Sequence, residues 1–189
     1  MRRILFSEIQ KERCNAAALE MFNAYIGALQ AYQGTAFDGI NNELRYDVPD
    51  RYKKLIDNME NFTDETKDPL YRGLDHNFLL YLKNEFKISD VNNIEELQKK
   101  LVGKSLKDKG FASTTKNLHT AAYFSRDTGK GRTTVIQIDG IKKGSDIQKR
   151  LKNRATKNEG EFLLKRNSSL KIKRVSFSKT GKVIIYTDA

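Results

Sequence analysis

Residues 159–188 read EGEFLLKRNSSLKIKRVSFSKTGKVIIYTD, and this stretch decides the fold class. EGEFLL (159–164), LKIKRVSFS (170–178) and KVIIYTD (182–188) read as successive strands, and the short Lys-Thr-Gly turn between the last two makes them a hairpin. Upstream, TTVIQID (133–139) is rich in Thr and β-branched residues with turn residues on both sides, a strong strand signal. LYRGL (70–74) and GFASTT (110–115) add two strand candidates, with helices expected over 77–86 and 93–101 and another capped by Asn117. The first third reads differently. Over 15–32, Ala17, Leu19, Met21, Phe22, Tyr25 and Leu29 recur mostly at three- and four-residue spacings, which predicts a helix that Gly34 ends. Further helices are expected over 38–45 and over 50–62, where Tyr52, Leu55, Ile56 and Met59 share a face. Pro69 marks the change of regime. Helices first and strands afterwards give an α+β class with a mixed or antiparallel sheet, not an alternating parallel fold. A single domain over 1–189 suffices, with a helical part at 1–67 and a mainly β part at 68–189.

Composition removes several alternatives. With one Cys and two Pro, the 189 residues are neither a disulfide scaffold nor a Pro-rich linker. Cys14, His76 and His119 cannot supply the four N/S ligands of a structural zinc site, so no metal is expected. No apolar run approaches the roughly 18 residues that a membrane span needs. The start MRRILFSEIQ lacks the apolar core of a secretory signal, and the scarcity of Cys suits a cytoplasmic setting. The net charge of +11 is unevenly placed: residues 1–70 hold 9 Lys and Arg against 12 Asp and Glu, whereas 71–189 hold 26 against 12. Such a basic half favours an acidic partner, whether nucleic acid, an acidic protein face or a phosphorylated small molecule; a solvated surface is the bland alternative.

Three separated elements carry chemistry together: Tyr71-Arg72-Gly73, then Phe111-Ala112-Ser113-Thr114-Thr115, then Glu159-Gly160-Glu161. On a strand, residues i and i+2 share a face, so Glu159 and Glu161 are expected side by side, as are Ser113 and Thr115. Two adjacent carboxylates raise each other's cost of ionisation, so the pair lies either at a solvated edge or in a site.

An arginine after an aromatic on a first strand, an aromatic-x-Ser-Thr-Thr strand and a Glu-x-Glu, in that order, resemble the Arg-Ser-Glu class of mono-ADP-ribosyltransferases, among them clostridial actin-modifying and phage-encoded enzymes. The likeness extends upstream into YQGTAFDGINNELR (32–45), with its Ile-Asn…Leu-Arg signature, and covers nearly the whole chain. It implies the ADP-ribosyltransferase fold with a β-sandwich core. It also implies NAD as substrate, release of nicotinamide and transfer of ADP-ribose to an arginine. By resemblance Arg72 binds the NAD phosphates bidentately, as Lys does less well. Gly73 meets the nicotinamide carboxamide, and Glu161 stabilises the oxocarbenium-like ribosyl cation. Ser113 orients Glu161, Thr114 and Thr115 belong to the NAD-binding strand, and Arg126 reaches a phosphate. Phe124 either stacks on the nicotinamide ring or packs in the core. Glu159 goes with arginine as acceptor, because a carboxylate pairs with a guanidinium and takes up its proton. The segment KRLKNRATKN (149–158) would be a strongly basic substrate-recognition loop without the aromatic that several toxins carry there.

On this reading the acceptor is a macromolecule, a protein of the host transcription or translation machinery, with nucleic acid a second candidate through the basic C-terminal half. The protein is expected to be a monomer acting in the cytoplasm of a host cell, as a free-standing enzyme or as an injected or secreted effector. Water as acceptor would make it an NAD glycohydrolase. A basic nucleic-acid-binding module over 142–174 is the non-enzymatic alternative, but it lacks interleaved aromatics. Gly129-Lys130-Gly131-Arg132 lacks P-loop spacing and reads as a loop, His76 and His119 have no partner at informative spacing, and Cys14 reads as a buried small apolar residue.

Overall fold

Helix comes first, but it does not stop at Gly34. The computed structural model describes residues 2–46, 51–61, 63–74, 76–125, 134–152, 160–179 and 181–189, with the backbone alone at 2–12, 35, 37–38, 45 and 76–77. α1 (Arg2–Ala31) passes through a π-turn (Tyr32–Ala36) directly into α2 (Phe37–Tyr46). Glycine is a poor helix interior residue, but here long-range contacts decide the backbone. Tyr32, Ala36 and Ile40 are all buried in one cluster, and that packing carries the helix across Gly34. α3 (Lys53–Glu60) is shorter than expected and buries Ile56 and Met59 against α1.

The apolar stripe of α1 also starts later than its spacing predicts. Residues 13–21 are all exposed, Leu19 and Met21 included, and the core begins at Phe22 and continues through Tyr25, Ile26, Ala28 and Leu29. Cys14 is therefore exposed, contrary to expectation, because its turn of the helix lies ahead of the packed stretch.

After the helices come β1 (Asp64–Thr66), β2 (Leu70–Leu74), α4 (His76–Glu85), α5 (Ile94–Leu101), β3 (Ser105–Asp108), β4 (Ala112–Thr115), α6 (Leu118–Phe124), β5 (Thr134–Asp139), β6 (Lys142–Asp146), α7 (Ile147–Leu151), β7 (Glu161–Leu164), β8 (Ser168–Phe177) and β9 (Val183–Asp188). Asn93 and Asn117 cap α5 and α6, each accepting two backbone N–H groups through its side chain. Among the described residues the strands join in one mixed sheet, ordered β1-β6-β7-β4-β2-β5-β9-β8-β3. Every pair is antiparallel except β5 with β9. Phe162 and Leu164 of β7 share one core with Ile172 and Val175 of β8, so the sheet curls over itself, with α4 and α5 contributing to the same core. Leu163 faces the other way, into the cluster built by α1, α2 and α3. The fold is thus the expected α+β arrangement.

Three strands and a helix have no local signal: β1, β3, β6 and α7. β6 reads Lys-Lys-Gly-Ser-Asp and is a strand because β1 and β7 pair with it on either side. Its Lys142 is only 1% exposed, with Nζ 3.4 Å from Ile138 O, and burial pushes the ammonium below its usual pKa. α7 takes the first part of the segment expected to be a recognition loop, and residues 153–158 lie outside the described residues.

α7 is held by a buried carboxylate. Arg150 Nε and Nη2 donate to Asp64 Oδ2 and Oδ1 at 2.8 and 2.7 Å, Lys149 Nζ lies 3.2 Å from Oδ1, and the Asp146 N–H donates to Oδ2 at 3.1 Å. Burial alone would raise the Asp64 pKa, but Arg150, the Asp146 amide and Lys149 together hold it below the usual carboxylate range. A depressed folded pKa contributes stability that is present above the unfolded value, about 3.9, and lost as pH falls through the folded one. Asp64→Asn should therefore lower stability at pH 7 by about 1–3 kcal/mol. Urea midpoints of the two proteins should draw together as pH falls below about 4 and meet only below the depressed folded pKa, where the wild-type carboxylate also becomes neutral. A gap as wide at pH 3 as at pH 7 would contradict this assignment.

Candidate active site

β4 lies between β2 and β7, and this order brings one residue from each of the three sequence elements together. Thr115 is opposite both Tyr71 and Glu161, so these three share one face across three strands, and Ser113 joins them two residues along. The Ser113 hydroxyl donates a short hydrogen bond to Glu161 Oε1. The other oxygen, Oε2, accepts from Gln33 Nε2 at 2.8 Å. Gln33 sits on the π-turn, a helical irregularity often found at functional sites.

Tyr32, beside Gln33, ties that turn to β4. Its ring meets the edge of Phe111 at 6.0 Å and 77°, its hydroxyl accepts from Asn41 Nδ2 at 2.9 Å, and Asn41 Oδ1 accepts from the Phe111 N–H at 2.9 Å. Phe111 is two residues before Ser113. Asn41 belongs to the Ile-Asn…Leu-Arg segment, and its place in the structure is this buried clamp.

Other expected residues have different surroundings. Thr114 leaves β4 on the opposite face from Ser113, is 4% exposed, and donates its hydroxyl to Phe162 O at 2.5 Å. It therefore pins β4 to β7 on the face away from Ser113. Thr115 is buried as well, and its Oγ1 accepts from the Asn117 N–H at 3.0 Å. At Gly73 a Cβ would lie 2.0 Å from Ala121 O and 2.7 Å from Ser125 N, so the missing side chain is what lets α6 seat on β2. Arg72, next to it, leaves β2 on the other side from Tyr71, with Nη1 3.4 Å from Asp108 Oδ2. Both side chains keep about a quarter of their surface exposed, 22% and 26%. Asp108 Oδ1 also accepts from the Gly110 N–H at 3.0 Å, so the carboxylate is fixed before it meets the guanidinium.

Phe124, at the end of α6, is 50% exposed, with its ring 5.9 Å from that of exposed Tyr123. Core packing is thereby removed as the explanation for it; Ala121 is the α6 residue that is buried. Ser125 holds this end of α6, accepting from Lys182 Nζ at 3.1 Å.

β7 begins at Glu161, and Gly160 has φ +60°, a left-handed conformation that ends the extended run and that glycine adopts without a Cβ penalty. The described strand thus covers Glu161 of the Glu-x-Glu motif and not Glu159. Glu159 and Arg126, like Gly129 to Arg132, lie outside the described residues. His119 is exposed in the first turn of α6.

The sequence profile of the ADP-ribosyltransferase exoenzyme family matches residues 11–189. The chain belongs to that family. As an ADP-ribosyltransferase exoenzyme it uses NAD as the substrate from which ADP-ribose is transferred, and Ser113 with Glu161 forms the polar centre of its three-strand face. No curated protein sequence matches it. Solved structures share its fold. The C3 exoenzyme of Clostridium limosum is 20% identical with a TM-score of 0.61, over 94% of this chain and 93% of that one. A Staphylococcus aureus protein solved with NAD is 16% identical at 0.61, over 95% and 94%. The ADP-ribosyltransferase Vis, in complex with agmatine, is 16% identical at 0.60, over 87% and 73%.

Among the described residues of this ADP-ribosyltransferase, no group of three His, Cys, Asp or Glu side chains is placed to hold a metal ion. No described helix is long and apolar enough to cross a membrane. The sequence signals missed Gln33 and Asp108. Gln33 lies within the resembling segment, but its partner is 128 residues away, beyond any periodic signal.

Proposed function

We propose that this enzyme is an arginine-directed mono-ADP-ribosyltransferase in which the Ser113–Glu161 pair faces the reacting ribose. The hydrogen bond between these two side chains carries the reading, because it holds a carboxylate at a fixed place on the sheet without neutralising it. Arg72 binds the NAD pyrophosphate, and Asp108 orients its guanidinium. Gly73 and Thr115 shape the strand wall, and exposed Phe124 stacks on the nicotinamide. Arg126 supplies a second phosphate contact. The glycosidic C–N bond breaks with its electron pair leaving on nicotinamide, and Glu161 stabilises the cation developing at the ribose. A guanidine nitrogen then bonds to that carbon, and Glu159 takes the proton released.

The whole chain, 1–189, acts as one catalytic domain. Agmatine, held by Vis, carries the guanidinium of arginine, which favours the arginine acceptor here. The acceptor is a protein arginine, and the charge of +11 suits a target bound to nucleic acid in the host transcription or translation machinery, inside the cytoplasm of a host cell. Incubation with labelled NAD and agmatine should give ADP-ribosyl-agmatine with stoichiometric nicotinamide. Nicotinamide release with free ADP-ribose alone, at saturating agmatine and with host lysate as second acceptor, would refute the arginine assignment.

Arg72→Lys tests the phosphate contact, since a point charge replaces a planar fork. NAD affinity by calorimetry should fall about 10–100-fold, the loss of a charge-assisted hydrogen bond of about 1.5–3 kcal/mol, with the thermal midpoint little changed. Unchanged affinity would remove Arg72 from the NAD contacts.

A further inference from the structure

Glu161 has two oxygens, and two elements distant in sequence each hold one: Ser113 of β4 on Oε1 and Gln33 of the π-turn on Oε2. We infer that Gln33 is a positioning residue for Glu161, its carboxamide fixing the rotamer of the carboxylate that meets the ribosyl cation. This rests on the reading of Glu161 given above. Three observations carry it. The contact is 2.8 Å from a half-buried donor, within good hydrogen-bond range. Its backbone is a π-turn, which inserts an extra residue and rotates Gln33 relative to a regular helix. That turn is tied through Tyr32 and Asn41 to Phe111, the approach to the strand that carries Ser113, so both donors hang on one support.

The chemistry of the donor fits the task. An ionised carboxylate offers about four lone-pair sites, and the two donors leave one on each oxygen for a ribose hydroxyl. Both donors are neutral. A Lys or Arg in place of Gln33 would hold the carboxylate as firmly but would offset the negative charge intended for the developing cation, whereas a carboxamide fixes geometry and leaves the charge in place. A glutamine that only filled the gap between helix and sheet would be served equally by any residue of its length.

Gln33→Met keeps length and helix propensity but removes the donor, and Gln33→Glu keeps shape but sets a second carboxylate against Glu161. With NAD turnover measured beside Glu161→Gln, Gln33→Met should lose about tenfold in kcat with KM for NAD within about twofold. Gln33→Glu should lose about a hundredfold, and both should keep the wild-type thermal midpoint. The double variant Gln33→Met with Glu161→Gln should be no slower than Glu161→Gln alone, since the two residues act as one unit. Wild-type kcat in both Gln33 variants, with Glu161→Gln inactive, would overturn the inference while leaving the role of Glu161 intact. A raised KM with unchanged kcat would make Gln33 a substrate ligand and overturn it equally. Full turnover by Glu161→Gln would remove the role of Glu161, and the inference with it.

Discussion

Glu161→Gln should slow nicotinamide release by about 10²–10³-fold, in transfer and in hydrolysis alike, without loss of fold. The substitution keeps the size of the side chain and removes only its charge. Gln33 can continue to donate to the remaining carbonyl oxygen, while the Ser113 hydroxyl rotates to accept from the new amide, so neither neighbour is orphaned. Leu163 and Phe162, the apolar part of β7, are untouched in their two cores. What disappears is the interaction that strengthens as positive charge develops at the ribose, and such an interaction acts on kcat. Nicotinamide release at saturating NAD, with a thermal midpoint on the same preparation, checks both halves. A rate close to wild type would exclude Glu161 as the cation-facing carboxylate.

The parts of this architecture that were legible in the sequence are those whose signals are local. LYRGL forms β2 with the bounds its composition indicates, and the Ser178–Lys182 region closes the β8–β9 hairpin, where Gly181 takes φ +79° as such a turn requires. Asn117 caps α6 because the capping oxygen and its amide partners are two and three residues apart. The readings that failed depend on contacts the local sequence does not encode. Gly34 would end a helix in isolation, but Tyr32 and Ile40 are buried together and keep it continuous. Lys142 counts toward the basic half, for which a solvated surface is the bland reading, yet the sheet encloses it. Strand alternation already sets Thr114 opposite Ser113; only the register with β7 shows that the Ser113 face is the one that carries Glu161. The candidate site was legible as a list of residue types in order, whereas the Gln33 and Asp108 contacts became visible only with the fold.

Glu159→Gln should separate two reactions that share one cation. Modification of arginine should fall by about 10²–10⁴-fold, the range for removing a general base, while hydrolysis of NAD by water largely survives. The backbone supplies a reason to expect separate roles. Glu161 opens β7, with Gly160 at φ +60° immediately before it. Glu161 is fixed by Ser113 and Gln33, and Glu159 belongs to the segment that follows α7, itself fastened by Asp64. Loss of Glu159 therefore removes the partner of the incoming guanidinium and the acceptor of its proton, and leaves intact the group that faces the cation. Water needs neither a guanidinium clamp nor its orientation, so the cation is still formed and still captured. Both activities must be read on one preparation, with agmatine as acceptor for transfer and free ADP-ribose for hydrolysis. Equal loss of the two would mean that the carboxylates act as one unit; transfer to agmatine at the wild-type rate would mean that the guanidinium is activated by another group.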